Sequence, residues 1–238
     1  MPTALVTGTN RGLGLALVRA LLTRGDRVIA ACRHPGKAND LNRLTGEHPG
    51  RLHVLPLDLT APKSHQELAR ELPLVLGDGN DAGDGRIDLL INNAGVLHSG
   101  ERFGKVTAAN LEDSFRTNAM GPFLLTQALA PLLADGAKVA NITSELGSIA
   151  GVTRFGTPSY NISKAALNMA SVLLKHALAD RRITVLALHP GWVRTEMGGN
   201  EATVLPTQSA EGLLRVIDGA SLVDSGKYLD WSGEPLPW

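Results

Sequence analysis

Thr7-Gly8-Thr9-Asn10-Arg11-Gly12-Leu13-Gly14 is the stretch that decides the fold, and it directly follows an apolar run at residues 3–7. Its three glycines stand where the chain turns from a predicted strand into a predicted helix. Glycine permits a tight turn and a close approach of the backbone to a ligand, and the N-terminus of the next helix offers unpaired N–H groups. An isolated glycine motif is compatible with an ordinary turn, but the flanking strand and helix favour a dinucleotide site.

The rest of the chain repeats this alternation of strand and helix. Short runs rich in Val, Ile and Leu alternate with longer amphipathic stretches, which is typical of parallel strands joined by crossover helices. The first helix is predicted from Gly12 to about Gly25. We therefore predict an α/β fold, a single-domain Rossmann-type doubly wound parallel sheet with helices on both faces. Its seven predicted strands lie near residues 3–7, 27–31, 52–56, 87–92, 137–143, 183–189 and 226–229.

Composition restricts the class of partner. The chain has 238 residues, with Lys plus Arg and Asp plus Glu both at 23, so no net charge draws it to nucleic acid or an anionic membrane. It has one cysteine, Cys32, no secretion-signal pattern at its start and no apolar stretch long enough to span a bilayer. We expect one domain over 1–238, a small-molecule partner, no nucleic-acid or membrane partner, and a cytoplasmic location.

Polar and small residues stand at the ends of two other predicted strands. Asp58 and Leu59 follow the third strand, and Asn92-Asn93-Ala94-Gly95 ends the fourth. Ligands of an open parallel sheet bind beyond the carboxyl ends of its strands, so these residues are predicted to face the cofactor. Asp58 is a candidate acceptor for an adenine amine, and Ala94 and Gly95 let the backbone lie close to the cofactor. A cap formed by Asp58-Leu59-Thr60 is an alternative or additional role for the carboxylate.

The segment Gly77–Gly85 is too rich in glycine and acidic residues to pack in a core, so it predicts a surface loop. Its acidic residues suggest calcium as one alternative. An EF-hand loop starting at Asp78, however, would need an oxygen ligand at Ala82 and a Glu at Leu89. We therefore predict no metal.

Tyr160 and Lys164 are the strongest candidates for a catalytic pair. They stand four residues apart, so a helix over roughly 159–179 places both on one face. A free tyrosine has a pKa of about 10, and a neighbouring ammonium is expected to lower it by favouring the phenolate. The pair can therefore exchange a proton with a substrate. The other tyrosine, Tyr228, has Ser232 at the equivalent position.

The assembled pattern resembles the classical short-chain dehydrogenase/reductase family over almost the whole chain. The residues that carry the resemblance are Thr7 to Gly14, Asp58, Asn92 to Gly95, Asn118, Ser144, Tyr160, Lys164 and Pro190-Gly191-Trp192-Val193-Arg194-Thr195. Four further stretches resemble its C-factor/Sniffer-like carbonyl reductase branch: Ala31 to Pro35, His189 to Thr195, Met197 to Gly199, and Gly233-Glu234-Pro235-Leu236-Pro237-Trp238.

This resemblance implies an NADP(H)-dependent oxidoreductase that transfers hydride between nicotinamide and a carbonyl or alcohol substrate. It implies that Tyr160 donates the proton, that Ser144 hydrogen-bonds the substrate oxygen and that Lys164 also holds the nicotinamide ribose. It further implies that Asn118 positions a water linking Lys164 to solvent. The predicted cofactor-binding residues are Gly8, Asn10, Arg11, Gly12, Leu13, Gly14, Arg33, Asp58, Leu59, Asn92, Ala94, Gly95, Tyr160, Lys164, Pro190, Gly191, Val193 and Thr195.

The sequence departs from the family pattern before the catalytic helix. Sixteen positions separate Ser144 from Tyr160, a longer spacing than is typical of the family, and Thr143 stands where a second serine is common. The extra residues are expected to enlarge the loop Glu145–Thr157, and Ser148 is a fallback candidate for the serine role. Trp192 is expected either to shape the nicotinamide pocket or to cover the sheet edge.

The end of the second strand predicts a preference for NADP(H) over NAD(H). An NAD enzyme commonly places an acid there for the ribose 2′-hydroxyl, but this chain has Cys32 followed by Arg33. A guanidinium binds a 2′-phosphate by charge and by paired hydrogen bonds, and Arg11 can approach the same phosphate. The alternative is that both arginines are ordinary surface charges.

One rival function remains, a non-catalytic dinucleotide-binding signalling or regulatory protein. The paired phenol and ammonium argue against it, since a binding module has little chemical reason to keep them. A hydrolase is disfavoured because no Gly-x-Ser-x-Gly elbow occurs.

We also expect a homodimer or homotetramer formed by long helices at roughly 108–133 and 159–179. A short mobile substrate loop is expected at about 195–207, and its composition does not identify the substrate.

Overall fold

A computed structural model describes residues 1–77 and 85–238. The described residues form one sheet of seven parallel strands in the order β3-β2-β1-β4-β5-β6-β7. The strands are β1 Thr3–Thr7, β2 Arg27–Cys32, β3 Leu52–Pro56, β4 Ile87–Asn92, β5 Leu133–Ile142, β6 Thr184–His189 and β7 Tyr228–Asp230. The predicted doubly wound α/β sheet is confirmed.

Helices pack on both faces of this sheet. They are α1 Gly12–Arg24, α2 Asn39–Glu47, α3 Pro62–Leu76, α4 Ala108–Phe115, α5 Gly121–Leu129, α6 Pro158–Ala177 and α7 Pro206–Gly219. The first helix ends as the sequence predicts, because Gly25 adopts a left-handed conformation (φ 97°) that closes the last turn.

Two cores follow from the alternation of side chains along the strands. In β1, Ala4 and Val6 face one core, which includes α1 and α7, whereas Leu5 faces the other, which includes α3 and α5. Because both faces of the central strands are covered, the strands read as continuous apolar runs.

The sequence misjudged one long helix and the ends of several elements. The helix predicted over 108–133 is instead α4, a π-helical turn at Arg116–Met120, α5 and a short 3-10 turn at Ala130–Leu132. β5 begins at Leu133 rather than 137, with a register shift where it pairs with β4. Such interruptions depend on tertiary contacts that periodicity does not report.

The strand order reverses between β1 and β4, which lie side by side at the middle of the sheet. Crossovers from these strands leave in opposite directions, so a crevice opens at their carboxyl ends.

The predicted loop at 77–85 and its calcium alternative fall largely on residues 78–84, which lie outside the described residues. Among the described helices, none is both long and apolar enough to cross a membrane.

Candidate active site

The glycine loop after β1 is held by the residues that follow β4. The Thr7 hydroxyl accepts hydrogen bonds from the backbone N–H groups of Asn93 (3.0 Å) and Ala94 (3.1 Å). The Asn93 side-chain amide donates in return to the carbonyls of Thr7 (2.9 Å) and Gly8 (3.3 Å). A Cβ on Gly8 would lie 2.7 Å from the Ala94 Cα, so the close approach of the two loops requires glycine.

Gly14 fixes the start of α1 against the same loop. A Cβ on Gly14 would lie 2.1 Å from the Gly8 carbonyl oxygen and 2.7 Å from the Asn93 side-chain nitrogen. The first turn of α1 has no acidic residue, and its N-cap residue, Arg11, gives it no side-chain cap. Its backbone N–H groups therefore suit an anion, so this loop fits the pyrophosphate of a dinucleotide.

The end of β2 combines a buried thiol with an exposed guanidinium. Cys32 is buried, which raises the pKa of its thiol, whereas Arg33 is exposed to solvent. Asp58 accepts two hydrogen bonds at Oδ1, from the Thr60 N–H (2.9 Å) and hydroxyl (2.7 Å). Partial burial opposes ionisation of Asp58, but these bonds and the charge of Arg33 outweigh it and lower its pKa. The carboxylate thus caps the turn ahead of α3, while the N-cap of α3 itself is Ala61.

The loop after β6 approaches the glycine loop from the other side. A Cβ on Gly12 would lie 3.3 Å from the Thr195 methyl group, and Arg11 forms an exposed ion pair with Glu196. Arg11 is therefore engaged by the 195–207 loop in this structure, and its contact with a 2′-phosphate stays a prediction. Hydrogen bonds tie this loop together, including Arg194 N–H to the Val204 carbonyl (2.8 Å), so its mobility also stays a prediction.

The predicted catalytic residues converge between β5 and α6. Ser144 follows β5, and its side chain is close enough to the Tyr160 phenol, which is 8% exposed, to act on the ionisation of that phenol. The Lys164 ammonium lies 5.5 Å from the centre of the Tyr160 ring and donates to the Ile142 carbonyl (2.7 Å). Phenol, hydroxyl and ammonium are thus brought together within the protein.

Burial dominates the ionisation of this pair. It raises the pKa of Tyr160 to about 12, although the neighbouring Ser144 side chain acts in the opposite direction, and it lowers the pKa of Lys164 to about 7. The expectation that Lys164 lowers the Tyr160 pKa is therefore not met in this structure. Desolvation of the phenol itself is the largest cause of this shift.

Asn118 lies in the π-helical turn between α4 and α5, a feature frequent at functional sites. Its side-chain oxygen accepts from the Val96 N–H (2.8 Å), and its nitrogen donates to the Val96 carbonyl (2.9 Å) and the Ser163 hydroxyl (3.0 Å). A Cβ on Gly95 would lie 3.2 Å from the Asn118 side-chain oxygen and 3.7 Å from the Lys164 Nζ. Gly95 thus stands beside both groups, whereas the water link between them stays a prediction.

Ser144, its fallback Ser148 and Trp192 each make a local hydrogen bond in this structure. The Ser148 hydroxyl accepts from the Gly151 N–H (2.9 Å) and the Ser144 hydroxyl accepts from the Leu146 N–H (3.2 Å), but only the Ser144 side chain acts on the ionisation of Tyr160. The Trp192 indole, half exposed, donates to the Gly198 carbonyl (2.8 Å) and so braces the 195–207 loop, while its role at the nicotinamide pocket or at the sheet edge stays a prediction.

The remaining predicted cofactor residues divide by position. Asn92 lies inside the sheet, where its amide donates to the Asn141 side chain (2.8 Å) and the Thr126 hydroxyl (3.1 Å), so it joins β4 to β5 and α5. Its neighbour Asn93 is the residue that contacts the glycine loop. The others lie beyond the carboxyl ends of β1, β3 and β6: Leu13 in the first turn of α1, and Asn10, Leu59, Pro190, Gly191 and Val193 in loops.

Sequence reasoning missed Glu101, which caps the catalytic helix. Its carboxylate accepts from the Ser159 hydroxyl (2.7 Å) and N–H (3.2 Å), immediately before Tyr160. Thr157, at the N-cap of α6, is left-handed (φ 40°), a strained conformation for a β-branched residue. A cap supplied from a distant loop leaves no local sequence signal.

Known proteins share this architecture. The C-signal protein of Myxococcus xanthus is 44% identical over 156 residues, 65% of this chain and 94% of that protein. The NADPH-bound carbonyl reductase from chicken fatty liver is 34% identical, with a TM-score of 0.92 over 100% of this chain and 99% of its own. The carbonyl reductase Sniffer of D. melanogaster is 33% identical, with a TM-score of 0.93 over 100% of both chains.

The family described as short chain dehydrogenase matches residues 2–204, which include the glycine loop, Ser144, Tyr160 and Lys164. The resemblance found in the sequence is thereby confirmed. The chain belongs to the short-chain dehydrogenase family.

Proposed function

We propose that this oxidoreductase uses NADPH to reduce a carbonyl compound to an alcohol, with Tyr160 as the proton donor. One observation carries the proposal: a buried phenol lies near the Ser144 side chain and beside the Lys164 ammonium at the carboxyl edge of the sheet. The glycine loop and the first turn of α1 would hold the cofactor at the same edge. The chicken carbonyl reductase that this chain resembles has NADPH bound.

The ionisation of Tyr160 favours reduction. Because its pKa is raised to about 12, the phenol keeps its proton at neutral pH and can release it only as negative charge develops on a substrate oxygen. The Ser144 hydroxyl would hold that oxygen next to the phenol. Bound NADPH would supply the hydride for the carbonyl carbon, and the proton on the product oxygen would come from Tyr160. Solvent would restore the phenol proton afterwards.

We propose two roles for Lys164. Its ammonium already donates to the Ile142 carbonyl, which fixes the head group next to the Tyr160 ring. From there it would donate to the nicotinamide ribose and favour the phenolate left after proton transfer. With a pKa of about 7, Lys164 is partly neutral at physiological pH without cofactor, so its charge would depend on the groups that bind beside it.

Arg33 would select NADPH over NADH. It is exposed after β2, where no acidic side chain precedes it to repel a 2′-phosphate. Asp58 lies at the same carboxyl edge, close enough for the Arg33 charge to lower the pKa of its carboxyl. Arg33 would therefore pair with the phosphate in place of this carboxylate.

A turnover screen tests the proposed function against the rival of a non-catalytic binding protein. The protein is incubated with NADPH or NADH and with aldehydes, ketones and quinones, and nicotinamide oxidation is followed by absorbance. We expect carbonyl-dependent oxidation of NADPH. Tight NADPH binding without turnover on any carbonyl would favour the regulatory protein instead.

We also propose a homodimer or homotetramer in the cytoplasm, built from a single domain over residues 1–238. The exposed side chains of Ile162, Met169 and Leu173 repeat along one stripe of α6, an apolar surface that a second copy would cover. Sedimentation of the protein at micromolar concentration should show a dimer or a larger species. A single monomeric species would rule this assembly out.

A further inference from the structure

The turn that carries Ser144 is hydrogen-bonded to the last strand, β7. We define the serine turn as residues 144–148. Tyr228, at the start of β7, is 2% exposed, and its hydroxyl donates to the Ser144 carbonyl (2.5 Å). The Gly147 N–H donates to the same oxygen (2.8 Å). Both lone pairs of this carbonyl are therefore used, one within the turn and one by Tyr228.

The segment 236–238 secures Tyr228 in turn. The Trp238 ring stacks on the Tyr228 ring, with centroids 5.1 Å apart and planes at 29°. The Leu236 N–H donates to the Tyr228 carbonyl (2.9 Å), and the Trp238 carbonyl accepts from the Ala150 N–H (2.9 Å). The segment thus contacts both Tyr228 and the loop that follows the serine turn.

Helix α6 holds the opposite side of the turn. The Asn168 side chain donates to the Gly147 carbonyl (3.2 Å) and accepts from the Thr143 hydroxyl (2.7 Å). Gly147 packs so closely on α6 that a Cβ there would lie 2.8 Å from the Lys164 backbone carbon. The turn is therefore held on one side by α6, which also carries Tyr160, and on the other side by the bond from β7.

We infer that Tyr228 is a positioning residue, whose bond to the Ser144 carbonyl keeps the Ser144 hydroxyl aligned with the Tyr160 phenol. This inference rests on the proposed function. Ser144 stands between two tyrosines: its side chain lies near the Tyr160 phenol, and its carbonyl accepts from the Tyr228 hydroxyl. Without the second bond the turn loses its hydrogen bond to β7, and small misplacements of a reacting group are costly in rate.

The direct test is a double-mutant cycle with Tyr228→Phe and Ser144→Ala. Tyr228→Phe keeps the ring that stacks on Trp238 and removes only the hydroxyl. We expect kcat to fall by about 10-fold, equivalent to about 1.4 kcal/mol, with the Kd for NADPH unchanged. In a Ser144→Ala background the same change should lower kcat by less than about 2-fold, because Tyr228 acts through Ser144. Equal losses in both backgrounds would overturn the inference.

Ser225→Ala is the matched control for a general loss of stability. The Ser225 hydroxyl is buried and accepts from the Val185 N–H (3.0 Å), beside the same strands but away from the serine turn. We expect it to lower the Tm to a similar extent as Tyr228→Phe and to leave kcat unchanged. An equal fall in kcat in both variants would reduce Tyr228 to a structural role.

Amide hydrogen exchange separates this inference from the proposed function, since it needs no turnover. In Tyr228→Phe, we expect faster exchange at the backbone amides of residues 146–150, and in Ser225→Ala no change there. Unchanged exchange in Tyr228→Phe would refute the positioning role even if the wild-type enzyme is active. Faster exchange in a protein that reduces no carbonyl would uphold the restraint on the turn and reject the proposed function.

Discussion

Replacing Lys164 by Met should change how the stability of the protein depends on pH. The Lys164 side chain is 3% exposed, and burial lowers its pKa from 10.5 to about 7. Between these two values the unfolded chain carries a proton that the folded chain does not. Folding is therefore penalised fully below pH 7, and the penalty is relieved as the pH rises toward 10.5. Methionine fills a similar volume without an ionisable group.

The size of the effect follows from proton linkage. Each proton taken up on unfolding changes the free energy of unfolding by about 1.36 kcal/mol per pH unit. Lys164 is about half protonated in the folded protein at pH 7 and almost neutral at pH 9, whereas it stays protonated in the unfolded chain. The wild type should thus gain about 2 kcal/mol relative to Lys164→Met between pH 7 and pH 9.

Urea unfolding of both proteins without cofactor, at several pH values between 7 and 9, measures this difference. Tyr160→Phe is the control: burial raises the pKa of that phenol to about 12, so its loss should give nearly the same difference from wild type throughout the range. Parallel pH profiles for wild type and Lys164→Met would show that Lys164 keeps its proton when buried, and the reasoning about its charge would be wrong.

Three other predictions concern the cofactor cleft and the catalytic helix. Arg33→Ala should weaken NADPH binding by about 10-fold or more while NADH binding changes little, because a charge-assisted hydrogen bond of about 1.5–3 kcal/mol is lost; fluorescence titration showing equal losses for both cofactors would contradict this. Gly14→Ala should abolish tight NADPH binding, since its Cβ would lie 2.1 Å from the Gly8 carbonyl oxygen, whereas Gly46→Ala in α2, where a Cβ meets nothing within 4 Å, should bind NADPH normally. Glu101→Gln should be less stable than wild type at pH 7. Burial opposes ionisation of Glu101, but the hydrogen bonds from Ser159 outweigh it and lower the pKa of this carboxyl below 4.5. The difference in free energy of unfolding between the two proteins should therefore persist above pH 4.5 and vanish in acid, as the carboxylate protonates. A difference that stays constant into acid would refute this role for the Glu101 charge.

The sequence was sufficient for those features that local pattern controls. Strand periodicity predicts the sheet, and glycines in a strand-to-helix turn predict the loop that Gly8 and Gly14 form. A four-residue spacing predicts that Tyr160 and Lys164 share a helix face. Each of these depends on residues close together in the chain.

Contacts between distant segments were not predictable in this way. Asn92 and Asn93 are adjacent and identical in type, yet only the alternation of the folded strand sends Asn92 into the sheet and Asn93 to the glycine loop. The cap from Glu101 joins residues 58 positions apart in the chain, and the bond from Tyr228 joins residues 84 positions apart. The pKa values of Tyr160 and Lys164 were also out of reach, because they depend on burial rather than on spacing.

Turnover of Tyr160→Phe is the most direct test of the central claim that this phenol donates the proton. Carbonyl-dependent NADPH oxidation is measured for wild type and variant on the same substrate, and NADPH binding is measured separately by fluorescence. The variant lacks only the phenol hydroxyl and hence the proton to be donated, so we expect kcat to fall by at least ~100-fold with the Kd for NADPH unchanged. A variant that binds NADPH normally and keeps near-normal turnover would contradict the account.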